Sequence, residues 1–171
     1  MKIALALAVS ALAGMLQEKE NPAFKYWSEW KVGAWAKYKM EMDQGGQKIE
    51  MESVMKLLEV SADKAVIESS GKMKMQGNEF KTPPTKQEVK KMEAEGKVPK
   101  IDKEGDEEIE LGGKKIKCHW IEFSQEQAGK KMRIKAWMAK QIPGGTAKSE
   151  VTADGGEKPM MVMQAVEWGD K

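Results

Sequence analysis

Cysteine, histidine and arginine each occur once in the 171 residues, as Cys118, His119 and Arg133. A lone thiol permits no internal disulfide, so the fold has to stand on its apolar core. A Ser-His-Asp or Cys-His enzyme needs a base beside its nucleophile. Cys118 and His119 adjoin in sequence, and neighbours on a strand point to opposite faces, so they do not form a dyad. Cys118 instead shares a face with Ile116 and Trp120, which reads as a small buried hydrophobe. Without arginine forks, base readout and phosphate clamping lose their usual side chain. A formal net charge of +2 gives no strong field for nucleic acid or an anionic membrane. No glycine-rich phosphate loop is present; the Gly-Gly pairs fall in turns. The many carboxylates alternate with lysines, as in a solvated charge ladder and not an acid–base pair. These absences point to a protein that is not an enzyme and uses no cofactor.

Long apolar runs are also scarce. Residues 3–13 form the one clear example, preceded by Lys2 and closing on Ala11-Leu12-Ala13, a small-x-small pattern. Residues 1–13 are therefore expected to be a signal peptide, too short to span a bilayer as a helix, which takes roughly 20 residues. With no second such run, the mature chain is expected to be soluble, without a transmembrane span, and periplasmic or secreted.

What the chain does have is alternation. Residues 34–42 place Ala34, Ala36, Tyr38, Met40 and Met42 on one side and Trp35, Lys37, Lys39 and Glu41 on the other. Similar stretches cover 47–60, 65–76, 107–111, 114–123, 131–138, 146–153 and 160–168. Turn chemistry separates them: Asp43-Gln44-Gly45-Gly46, Ser61-Ala62-Asp63-Lys64, Gly77-Asn78, Gly112-Gly113, Ile142-Pro143-Gly144-Gly145 and Asp154-Gly155-Gly156. The last strand is apolar on both faces, so it is expected to be central or wedged under a helix. Before the ladder, residues 14–33 form an entry segment. Asn21-Pro22 opens a short helix that lays Phe24 and Trp27 on the sheet and ends by Gly33. Pro83-Pro84 breaks the alternation, and Thr85 to Glu88 has capping-box spacing. A second helix is expected over residues 86–95, ended by Gly96, with a charged loop over 97–106. The fold class is mainly β (α+β): about eight strands and two short helices, the first in the entry segment and the second a helical insert near 85–96 within one antiparallel domain over residues 34–171.

Residues 30–38, Trp30-Lys31-Val32-Gly33-Ala34-Trp35-Ala36-Lys37-Tyr38, resemble the opening of small secreted bacterial domains of unknown function. Residues 112–120, Lys135-Ala136-Trp137 and Ile142-Pro143-Gly144-Gly145 with Lys148 are similar to the second half of that group. More distantly, the arrangement is similar to the periplasmic lipoprotein-carrier superfamily of the LolA and LppX type. That resemblance implies a strongly curved antiparallel sheet or half-open barrel with helices over its concave face, holding acyl chains.

Methionine is unusually frequent, at 14 residues. Met40-Glu41-Met42, Met73-Lys74-Met75 and Met161-Val162-Met163 each put two thioethers on one strand face. The simplest reading is core filler at period-2 positions, whose flexible side chains repack around apolar guests. Strand alternation nominates a ligand cavity of Tyr38, Met40, Met51, Met73, Met75, Trp120 and Met132, with a lipid or lipoprotein acyl chain as the guest. Two alternatives stand beside this reading. One is a cell-envelope structural or interaction module with a filled core, meeting an envelope protein. The other is a methionine-rich protein that binds monovalent copper through soft sulfur together with Cys or His.

Overall fold

The computed structural model of the chain describes residues 18–44, 46–94, 100–127 and 130–170; the signal segment expected over residues 1–13 lies outside them. In chain order the elements are β1 (Glu18–Glu20), α1 (Pro22–Ser28), β2 (Trp35–Gln44), β3 (Gln47–Val60), β4 (Lys64–Met75), β5 (Asn78–Lys90), β6 (Met92–Ala94), β7 (Lys103–Leu111), β8 (Lys114–Gln127), β9 (Lys130–Met138), β10 (Thr146–Ala153) and β11 (Met161–Gly169). The protein is mainly β. Nine strands form one antiparallel sheet in the order β5-β4-β3-β2-β11-β10-β9-β8-β7, and β1 and β6 form a separate two-stranded ribbon. The sheet thus consists of two meanders, β2–β5 and β7–β11, joined where β2 pairs with β11. Its end strands, β5 and β7, are not paired with each other, so it is not a closed barrel. The last strand is central, as its two apolar faces suggested.

Three expectations are corrected. Eleven strands and one helix are present among the described residues, against about eight strands and two helices. The helical insert near 85–96 is strand: residues 86–90 belong to β5 and 92–94 to β6, while Glu95 and Gly96 lie outside the described residues. Proline is tolerated because β5 is an edge strand, where a missing donor costs no ladder bond. The register also passes from Ser69 opposite Thr85 to Gly71 opposite Thr82, so both prolines face Ser70 in a bulge. Finally, residues 103–106 of the expected loop belong to β7, paired along β8 from Lys103 opposite Glu122 to Leu111 opposite Lys114.

The entry helix forms as the sequence dictates. The Asn21 Oδ1 accepts a hydrogen bond from the Ala23 N–H at 2.9 Å, with Pro22 at the first helical position. The helix ends at Ser28, before Gly33. Phe24 and Trp27 are buried against Leu57, Ala65, Ile67 and Val89, each worth about 1.5–3 kcal/mol of burial. A second cluster joins Ala36, Tyr38 and Ala165 to Ile116, Cys118, Trp137, Ile142 and Ala147. The Ile142-Pro143-Gly144-Gly145 corner links the two. The Tyr38 hydroxyl donates to the Pro143 carbonyl at 3.4 Å. Gly144 and Gly145 both have positive φ, and a Cβ on either would lie 2.6 Å from the Trp27 ring or 2.3 Å from the Tyr26 ring. The helix can dock only because this corner presents bare backbone to its two aromatic side chains.

Gly144→Ala should therefore destabilise the fold by about 2–4 kcal/mol, from a left-handed Cβ and a blocked indole together. Urea unfolding followed by tryptophan fluorescence checks this; an unchanged midpoint would mean that Trp27 does not rest on the corner.

Candidate functional site

Residues directly opposite each other in an antiparallel sheet share a face. The register therefore turns strand alternation into a surface. One row runs Phe80, Met73, Met51, Met40, Met163 across β5, β4, β3, β2 and β11. The next row runs Met75, Ile49, Met42, Met161 across β4, β3, β2 and β11. Both continue over β10, β9 and β8, as Ser149, Ala136, Ile121 and as Val151, Ile134, Phe123. Apart from Phe80, which is 49% exposed, these side chains are half-buried. The result is a broad apolar band on one face of the sheet.

Over β2 to β5 the opposite face is charged. Lys48 lies 3.4 Å from Glu41 and 3.3 Å from Glu50, and Lys72 lies 3.5 Å from Glu52 and 3.7 Å from Glu79. These pairs are solvent-exposed and contribute little to stability. They keep that face wet and make the sheet amphipathic.

Of the seven residues nominated for a cavity, six share the apolar face. Met40, Met51 and Met73 are consecutive in one row, and Met75 lies in the next. Tyr38 is on the same face but buried in the core, where burial raises its phenol pKa. Met132, opposite Ala153, lies one row farther on, with β10 and β11 between it and β2. Trp120 does not join them. It pairs with Trp137, in a row that continues through Lys148, Gln164 and Lys39 on the charged face. Alternation assigns faces within β8 but carries no information on how β8 is phased against β2. Trp120 has a structural place instead. The Lys135 ammonium lies 4.3 Å from its ring centroid and 4.5 Å from that of Trp137, and Gly105 leaves room for the indole. Glu107 accepts from the Trp137 indole N–H and from Lys135. The indole bond above all holds the Glu107 carboxyl below its ordinary pKa; desolvation, next in size, opposes it, and the Lys135 hydrogen bond and the lysine charges add to the lowering.

Two of the concavities along this architecture bear on the site. A pocket of about 200 Å3 lies between α1 and the sheet, lined by Trp27, Tyr38, Met55, Ile67, Val89 and Met163 among others. Met163 belongs to both this pocket and the first row, so pocket and band are continuous. A larger cleft of about 580 Å3 is lined by Tyr26, Asp106, Glu107, Glu108, Lys117, Cys118, His119, Met138, Ala139, Lys140 and Gln141. Sequence reasoning missed it, because the charge run of β7 reads as loop. Here His119 Nδ1 lies 3.0 Å from Asp106 Oδ1, and Nε2 lies 3.5 Å from Glu104 Oε2. The thiol beside this histidine is not activated: burial, then the Glu107 charge, push Cys118 up to about 11. Among the described residues no His, Cys, Asp and Glu cluster could hold a metal ion. No described helix is long and apolar enough to cross a membrane.

Compared with models of known protein families and with curated proteins, the chain matches none.

Native protein at about pH 8 should react with a disulfide reagent far more slowly than unfolded protein, since the buried thiol stays protonated. Because its folded pKa is raised, the unfolded state loses the Cys118 proton first. Stability should fall as pH rises from about 9 to about 11, and Cys118→Ala should flatten that slope. Rapid native labelling, or an unaltered slope, would contradict the assignment.

Proposed function

We propose that the chain is an exported, non-enzymatic protein that holds an apolar ligand, a lipid or a lipoprotein acyl chain, against the methionine-lined face of a strongly curved sheet. The carrying observation is the pair of half-buried apolar rows, continuous through Met163 with the pocket under α1. The helix packs farther along the strands, on Leu57, Ala65, Ile67 and Val89. Half-buried apolar rows beside a pocket suit a long, thin guest that starts under the helix and lies along the strands.

Curvature is supported by the irregularities of the ladder. Register shifts occur at Leu57/Glu59, Ser69/Gly71, Thr146/Lys148 and Ala165/Glu167. Each bulge bends its strand and increases local twist, and these lie across the middle of the sheet and toward its β5 edge. A sheet bent this way has the form of a half-open barrel. Export rests on the reading of residues 1–13.

One observation favours a second reading, an envelope module with a filled core that meets a protein partner. The pocket under α1, about 200 Å3, is smaller than the roughly 300–1,000 Å3 of ordinary ligand sites. Native mass spectrometry of periplasm-expressed protein, before and after delipidation, separates the two. The carrier reading expects an apolar adduct, and a fluorescent fatty acid that rebinds after stripping. Met40→Lys with Met51→Lys should weaken that rebinding at least about tenfold, while Trp120→Ala, on the other face, should leave it unchanged. A protein that neither carries nor rebinds an apolar molecule is not a carrier.

A further inference from the structure

The three methionine pairs that are far apart in sequence come together in the sheet. Met40 and Met42 lie on β2, Met73 and Met75 on β4, and Met161 and Met163 on β11. With Met51 on β3, they occupy seven of the eight positions where the two rows cross these four adjacent strands; Ile49 is the eighth. Half of the chain's 14 methionines therefore meet in one half-buried patch.

Apolar volume does not account for this. The same two rows continue over β10, β9 and β8 with no sulfur, carried by Val151, Ile134, Phe123, Ala136 and Ile121. Branched and aromatic residues suit strands better than methionine does, and they serve where only an apolar surface is needed. What sets the β4-β3-β2-β11 patch apart is the thioether.

We infer that the two methionine rows form a binding site for a soft monovalent cation, Cu(I) or Ag(I). Side chains directly opposite in the sheet have Cβ atoms roughly 4.5–5.5 Å apart. Each sulfur lies two bonds beyond its Cβ on a flexible chain, so sulfurs from neighbouring strands can converge on one ion. Met40 has Met51 on one side and Met163 on the other and is the central donor. On these four strands the rows hold no carboxylate, imidazole or thiolate. Neutral thioethers do not offset the cost of desolvating a divalent ion, and their softness selects Cu(I) over Zn(II). The donor set is thioether alone: Cys118 and His119 sit on β8, with β9 and β10 between them and β11.

This inference is independent of the apolar-ligand reading, and Met→Leu substitution tests it, because leucine keeps volume and apolarity but removes sulfur. Purified protein is titrated anaerobically with Cu(I) against a chromophoric Cu(I) chelator, beside the Met40→Leu/Met51→Leu/Met163→Leu variant. Wild-type protein should compete with a Kd tighter than about micromolar, and the variant should lose at least about tenfold, with its thermal midpoint retained. Met40→Leu alone, the milder change, should weaken Cu(I) binding in the same direction. Wild-type binding no tighter than micromolar, leucine variants that bind as wild type does, or equal competition by Zn(II) would overturn the site.

Discussion

The pairing of β2 with β3 on one side and β11 on the other sets every other relation in the sheet. It joins two meanders that are each local in sequence, and it brings the first long strand beside the last. Because side chains alternate with period two, a slip of one residue at this seam would exchange the faces of one whole meander against the other. Met163 would then face the charged side, beside Lys39 and Glu52, and the apolar rows would end at β2. Apolar burial at the seam opposes such a slip: Ala36, Tyr38 and Ala165 are within 2% of complete burial, under the corner that receives the Tyr38 hydroxyl.

From that seam the two faces acquire different characters. One carries lysine–glutamate pairs that hold it in water over β2 to β5, and buries Ile116, Cys118 and Trp137 over β8 and β9. The other is apolar along its length and is covered in two ways. At one end α1 and the Ile142–Gly145 corner bury it, with the Gly144 and Gly145 backbone carrying the aromatic side chains of the helix. At the other end it stays half-buried, lined by methionine on four strands and by aliphatic and aromatic residues beyond them. The small pocket under α1 lies at the junction of these two regimes. The two proposed ligands, an apolar guest and a soft cation, would draw on different properties of the same rows, their area and their sulfur.

Much of this was legible in the sequence where a strand alternates and is flanked by turn residues. Residues 34–42, with Asp43 to Gly46 behind them, announce β2 plainly, and Asn21-Pro22 announces the helix. β5 was hidden for physical reasons. It is an edge strand with Val89 as its only buried residue, so neither face imposes a period, and its prolines sit in a bulge. β7 was hidden by charge, since its outer half is solvated on both faces. The candidate site was half legible. Alternation identifies which methionines share a face within a strand, as Met40 and Met42 do. It cannot phase β8 against β2, which is why Trp120 was placed with them although it packs with Trp137 and Lys135 on the other side. Nor can it reveal that β11 lies beside β2, so the joining of Met161 and Met163 to Met40 and Met42 emerges only from the fold.

The central claim is that cross-strand register, and it can be measured directly. In protein labelled with 13C at the methionine methyl groups, nuclear Overhauser contacts should link Met40 to both Met51 and Met163, and Met51 to Met73. If the Met40 methyl instead shows contacts to the Lys39–Glu52–Lys72 row and none to Met51 or Met163, the register is wrong and the apolar face built on it does not exist.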